Sequence, residues 1–258
     1  MLIQKTFGAK LAIILLIAFT ASAQNGKDEP IELRHQKVIW TGLAVRADFQ
    51  GPYSLGIEVE ERRYLNFDRG LKTRDQQRVL PNVFLERQLP QNWKIGLGQW
   101  IFTLNLPWDP QAEVERRVPE HRSYAYISKS WPLENGQRLG LRLKSERHGA
   151  SHFSGPIVRQ DYRQRIKLAY TWPLGKKWRF QASEEIHINV ASTGDLGLVH
   201  HNRLATNFSR KWGPRARLKT TLGLLHWLQP TDLQRSFYSR YIFRLQLEYR
   251  FPFPTIQI

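Results

Sequence analysis

Four stretches concentrate side chains that could move a proton or hold an ion. Glu184-Glu185-Ile186-His187-Ile188-Asn189 carries two carboxylates, an imidazole and an amide. His200-His201-Asn202-Arg203 follows across a short gap. Glu146-Arg147-His148, with His152, is a third, and Glu113 to Arg122, EVERRVPEHR, is a fourth. Alternate residues of an extended chain share a face. Glu185, His187 and Asn189 therefore point one way, with Ser183 beside them. If the first two stretches lie on neighbouring strands, His201 can meet them. Glu185, His187 and His201 together could form an acid–base pair or hold a cation through carboxylate and imidazole. No H-E-x-x-H, G-x-S-x-G or Gly-rich phosphate loop accompanies them. The expected role of the cluster is therefore mutual hydrogen bonding at the mouth of the fold, with catalysis by Glu185, His187, Asn189 and His201 as the alternative. No metal ligand set and no cofactor is expected.

The elements that must position these residues read as strands. Apolar and polar residues alternate with period two. Leu139, Leu141 and Leu143 stand against Arg138, Arg142, Lys144 and Glu146. Phe237, Tyr241, Phe243, Leu245, Leu247, Tyr249 and Phe251 share one face of the last segment, and Arg240, Arg244, Gln246, Glu248 and Arg250 share the other. About eleven such segments occur, near 36–49, 53–64, 78–89, 92–105, 120–131, 137–148, 160–172, 177–190, 200–211, 215–228 and 237–251. Most exceed the roughly 5–6 residues of a soluble strand, and tilted membrane strands need about 9–11. Short turns rich in Gly, Pro and Asn fall at Gln50-Gly51-Pro52, Pro90-Gln91-Asn92, Glu134-Asn135-Gly136, Leu174-Gly175-Lys176 and Trp212-Gly213-Pro214. Longer loops alternate with them, near 65–77, 106–119, 149–159, 191–199 and 229–236. Short turns at one end and long loops at the other is the arrangement of outer-membrane barrels.

The N-terminus supplies an address. Lys5 and Lys10 precede the apolar run Leu11 to Phe19, and Ala21 and Ala23 form an A-x-A site. This predicts a secretory signal peptide over residues 1–23, cleaved before Gln24. The run is about half of the roughly 20 residues a spanning helix needs. No cysteine is present, which excludes disulfides, thiolate metal sites and a Cys nucleophile. The mean hydropathy of −0.49 reads as soluble, an inference that fails for barrels whose strands hide an apolar face behind alternate polar residues.

The expected fold is all-β, an antiparallel transmembrane β-barrel of 10–12 strands. An N-terminal segment spans 24–35, the barrel 36–251 and a tail 252–258. Because single-chain bacterial barrels usually have even counts, twelve strands are expected, with ten as the alternative. Asn25 to Arg34 would supply a short twelfth strand or thread the lumen. Glu58, Glu60, Arg142, Lys144, Arg163, Arg165, Arg179, Arg244 and Glu248 are expected to line the lumen. There they form either a charge-packed interior or a narrow anion-attracting channel, since Arg and Lys rings favour anions. Tyr53, Trp93, Trp131, Trp172, Trp178, Trp212 and Phe251 sit beside short turns or the C-terminal strand end, as an interfacial aromatic girdle would.

The net charge of +17 invites a nucleic-acid reading, but no Lys/Arg run, recognition helix or zinc spacing supports it. The expected partners are outer-membrane lipids, the barrel-assembly machinery and a small anionic solute, with no nucleic acid. Lys72, Arg74, Arg116 and Arg117 are candidates for contact with anionic headgroups.

The stretch Arg78 to Pro107, RVLPNVFLERQLPQNWKIGLGQWIFTLNLP, together with PEHRSYAYIS, RLKSERH, ASEEIHINV and HNRL, resembles the domain-of-unknown-function 2490 family. The resemblance runs from about Val38 to Phe251. It implies a secreted outer-membrane β-barrel of a diderm bacterium and carries over no catalytic residue. One departure is the C-terminus: outer-membrane barrels typically end on an aromatic residue, whereas Pro252 and Pro254 in PFPTIQI cannot continue a ladder. Two alternatives remain at this point. One is an outer-membrane hydrolase with a His/Glu/Asn cluster at the barrel mouth. The other is a soluble secreted β-sandwich that binds a ligand.

Overall fold

In a computed structural model, the structure describes residues 32–49, 51–65, 77–105, 117–151, 157–192, 199–213, 218–230 and 236–253. The segment expected to be a signal peptide, residues 24–31, Lys72, Arg74, Arg116, His152 and most of the tail lie outside the described residues. Eleven strands follow in chain order. They are β1 (Glu32–Asp48), β2 (Tyr53–Tyr64), β3 (Gln77–Leu89), β4 (Trp93–Asn105), β5 (Arg117–Pro132), β6 (Arg138–Ser151), β7 (Ile157–Pro173), β8 (Trp178–Ser192), β9 (Val199–Trp212), β10 (Leu218–Pro230) and β11 (Ser236–Pro252). Each pairs with its sequence neighbours, and β1 closes on β11 to complete a barrel. The strands are 12–17 residues long.

The expected even count gives way to eleven, within the expected range, and the reason lies in the seam. Ten successive antiparallel pairings leave β11 running in the same direction as β1, so the closing pair is parallel. The Phe253 N–H, just past β11, donates to the O of Asp48, the last residue of β1, at 2.8 Å. The Phe49 and Phe253 rings lie 5.3 Å apart at that end, while His35 and Tyr241 stack at the other. The residues proposed for a twelfth strand divide: 25–31 lie outside the described residues, and 32–34 belong to β1.

The turns form where the sequence permits positive φ. Gln91 and Asn92 both take positive φ, as do Asn135 and Gly136. Consecutive left-handed residues match the twist of the strands they join. The chain reverses across Leu133 N to Gln137 O at 2.9 Å and Leu174 N to Trp178 O at 2.9 Å.

Burial is inverted relative to a soluble domain. Among the described residues, eighteen polar or charged residues are buried against eight hydrophobic ones. Leu97 is 58% exposed and Phe243 50%. The alternation explains this: Leu139, Leu141 and Leu143 face out while Arg142, Lys144, Glu146 and His148 face in. Aromatic rings fill part of the interior. Phe84, Tyr126 and Tyr124 face Gly56, Gly96 and Gly98 across their strand pairs, and a methyl group at any of these glycines would overlap the ring opposite. A small apolar cluster also lies inside, where Val38 and Trp40 of β1 meet Ile242 of β11 and Leu225 of β10.

Candidate functional site

The polar side chains converge in the half of the interior nearest the long loops, on the inner faces of β5 to β9. The pairing of β8 with β9 sets His187 directly opposite His201, and their ring centroids are 3.7 Å apart. Register shifts beside His187 in that pair, and at Tyr162/Arg163 in the β7–β8 pair, flank the site. Such bulges re-aim side chains. Here they bring Asn189 opposite Arg163, whose Nε donates to Asn189 Oδ1 at 3.3 Å.

Glu185 is the hub. It accepts from Arg142 at 2.7 Å and Arg165 at 2.5 Å. His187 Nε2 lies 3.2 Å away and Arg203 3.8 Å away. The other end of the Arg165 guanidinium donates to Glu146 at 2.7 Å. Glu146 also pairs with Lys144 at 2.7 Å and meets His148 Nε2 at 3.1 Å. The second nitrogen of His148 is 3.4 Å from Glu120, which accepts from Arg122. A continuous chain of alternating charge therefore crosses the barrel wall from β5 to β9.

The opposite wall is organised in the same way. Glu58 accepts from Gln246 at 2.7 Å and meets Arg244 at 3.5 Å. Glu60 pairs with Arg62 at 2.6 Å. Glu248 holds Lys219 at 2.9 Å and Arg250 at 2.6 Å, with Arg46 at 3.5 Å. Glu86 takes Arg46, Tyr126 and Lys94.

This geometry limits the chemistry. A general base needs a lone pair that a substrate can reach. The carboxylate oxygens of Glu146 and Glu185 are instead occupied by guanidinium and ammonium groups. His187 and His201 are 1% and 2% exposed, so a substrate reaches neither ring without displacing its neighbours. His187 Nδ1 is buried with no hydrogen-bond partner among the described residues. Ser183 is buried on the same face. Among the described residues, no three His, Asp or Glu side chains are grouped so that they could hold a metal ion.

The structure thus brings together Glu185, His187, Asn189 and His201, and it joins Glu146 and His148 to them through Arg165. It separates Arg147, which is exposed on the outer face, from Glu146 and His148, and likewise His121 from Glu120 and Arg122. Glu184 lies outside the cluster. It faces the outer side of the wall, where Asn202 donates to it at 2.9 Å. The sequence singles out His148, Glu120 and Arg122 but not the contacts by which His148 bridges Glu146 and Glu120, although a signal for them is present. Glu60/Arg62, Glu120/Arg122, Glu146/His148, Glu185/His187 and Glu248/Arg250 are all Glu-x-Arg or Glu-x-His pairs in contact on one face.

The sector of the short-turn half on β4 to β8 differs. Arg179 and Lys167 carry no ion pair among the described residues. A cavity of about 400 Å³ lies on the inner face there, lined in part by Lys94, Arg138, Arg142 and Lys167, with no carboxylate in its wall. The seven turn-side aromatics, Tyr53, Trp93, Trp131, Trp172, Trp178, Trp212 and Phe251, all stand at or next to the short-turn ends of their strands. Arg210 packs over Trp178 and Trp212, Lys129 over Trp93, and Arg87 over Tyr53.

No curated protein and no solved structure matches the chain. The family model described as "Protein of unknown function (DUF2490)" matches residues 38–234. With that match over most of its length and a closed β-barrel as its fold, the chain belongs to the DUF2490 family.

Proposed function

We propose that this protein is a β-barrel of the outer membrane of a diderm bacterium, sent there by its N-terminal signal peptide and inserted by the barrel-assembly machinery. The observation that carries this reading is the inverted burial. Large apolar side chains such as Ile57, Leu97 and Phe243 are exposed around the wall, while glutamates and arginines are buried within it. In water that surface is an aggregation hazard. In lipid it is the required solvent-facing surface, because an outward Arg or Lys near the midplane costs roughly 2–4 kcal/mol. Aromatic rings beside basic side chains at the short-turn end suit the headgroup level, where ring and cation are both favoured. Strands of 12–17 residues rise roughly 30–43 Å along the barrel axis when tilted by about 40°, enough to cross the hydrocarbon.

Within that barrel the salt-bridge network lines the inner face from β5 to β9, and the opposite wall is paired in the same way. An interior of buried, mutually paired charges supports a barrel that is structural or binds a small anionic solute at its basic end over one that passes solutes freely. The burial of His187 and His201 gives the hydrolase reading no accessible base. The test is fractionation followed by electrophoresis of the outer-membrane fraction with and without boiling. A membrane-embedded band that migrates faster unboiled is expected. Recovery in the soluble fraction, with no shift on boiling, would overturn the reading.

A further inference from the structure

The cavity at the short-turn end is chemically unlike the rest of the interior. Its wall takes Lys94 from β4, Ser128 and Ser130 from β5, Arg138 and Arg142 from β6, and Lys167 from β7. With Lys129, whose Nζ donates to Gln91 O, five cations line one space and no carboxylate does. Their existing partners leave them under-neutralised. Arg142 is held by Glu185 at 2.7 Å, and Lys94 reaches Glu86 only at 3.4 Å. Lys167 and Arg138 make no ion pair or side-chain hydrogen bond among the described residues, and neither do the hydroxyls of Ser128 and Ser130. Lys167 lies directly opposite Glu185 in the β7–β8 register, but that carboxylate is engaged by Arg142 and Arg165. Cations gathered without counter-charge repel one another, and an anion placed among them relieves that repulsion.

We propose that this cavity is a binding site for a small multivalent oxyanion, a phosphate- or polycarboxylate-bearing solute. Its volume suits a small-molecule ligand. The guanidinium of Arg138 offers a planar fork for two oxygens of one group. Lys94 and Lys167 supply point charges from β4 and β7, on either side of β5 and β6, and the two serine hydroxyls donate to the remaining oxygens. Asn92 and Pro132 place the cavity's rim at the turns, so the solute enters from the short-turn end. The inference gives the solute of the proposed barrel a chemical class and a place. The binding titration itself does not depend on where the barrel resides.

The test is calorimetric titration of the full-length folded barrel in neutral detergent, in low-salt buffer, with inorganic pyrophosphate and with citrate as probes. Wild-type protein is expected to bind at least one of them stoichiometrically. Affinity is expected to fall about tenfold or more in each of Lys167→Gln and Arg138→Gln, and to weaken in high salt as screening shortens. Arg87→Gln removes a basic side chain near the same end but on the outer wall, and should bind as wild type does. A folded, heat-modifiable barrel that takes up neither probe overturns the site and leaves the membrane assignment standing. Equal loss of affinity in Arg87→Gln also overturns it, since binding would then follow overall charge. A protein that binds pyrophosphate through Lys167 and Arg138 yet fractionates as soluble keeps the site and overturns the membrane assignment.

Discussion

Two regions of the barrel interior solve the same problem in opposite ways. Near the long loops, Glu120, Glu146 and Glu185 are each matched by cations within hydrogen-bond reach, and Arg165 ties Glu146 to Glu185 with two contacts of 2.7 and 2.5 Å. Near the short turns, Glu86 and Glu248 neutralise Arg46, Lys94, Lys219 and Arg250 in the same way, but on β6 to β8 Lys167, Arg138 and Arg179 stand without a carboxylate in contact among the described residues. The first region is neutral by pairing. The second is basic and contains a cavity. One chain on one set of strands can hold both because strand residues two apart share a face. A Glu-x-Arg pair neutralises itself wherever it occurs, and where the glutamate is missing the cation is left over. Stability should therefore reside in the loop-side network, and ligand recognition in the turn-side cations.

The sharpest way to break this contrast is Arg165→Ala. It leaves Glu146 and Glu185 buried with reduced compensation, a class of change that costs about 3–5 kcal/mol. The expected outcome is a large drop in the urea midpoint of refolded protein, with little heat-modifiable band. A neutral result would mean that the network contributes nothing to the fold. Next in size is Leu97→Arg, which puts a cation on the most exposed part of the outer wall of β4. It should cost roughly 2–4 kcal/mol in lipid and little in a soluble protein, so a midpoint unchanged in bilayers would count against a lipid-facing wall. Gly96→Ala follows. The new methyl overlaps the Tyr126 ring, and overpacking of this kind costs about 1–3 kcal/mol. It is to be read as a lower midpoint with an unchanged gel shift. The smallest effect is expected from Lys167→Gln. With no ion pair to lose, it should shift the midpoint by less than about 0.5 kcal/mol. A collapse as large as that of Arg165→Ala would erase the distinction between the regions.

Much of the fold was legible from residues alone because period two is a local signal. Leu139, Leu141 and Leu143 against Arg142, Lys144 and Glu146 fix both a strand and its facing. Asn135-Gly136 marks a turn because both residues tolerate positive φ. The seam was not legible. Whether β1 closes on β11 in parallel depends on strand parity and on where β1 begins, and no residue type announces either. The inward cluster of Val38, Trp40 and Ile242 was also hidden. Apolar residues on an inner face look like faults in the alternation until the closing pair brings them together. In the site, the encounter of the Glu184–Asn189 and His200–Arg203 stretches followed from their being neighbouring strands. The facing of His187 on His201 required the register and its bulge. The link from Glu185 through Arg165 to Glu146 and His148 spans β6 to β8, and pairing across three strands cannot be read from spacing within one.

The absence of cysteine makes one measurement unusually direct. Single thiols introduced at Leu97, Phe243 and Ala169, an uncharged residue of the cavity wall, can each be challenged with a charged, membrane-impermeant thiol reagent in reconstituted bilayers. Ala169→Cys is expected to react from water, with the reaction slowed by pyrophosphate, while Leu97→Cys and Phe243→Cys stay unmodified until the protein is unfolded. Rapid labelling of Leu97→Cys and Phe243→Cys with Ala169→Cys left unmodified would contradict this, placing water on the outer wall and closing the basic cavity.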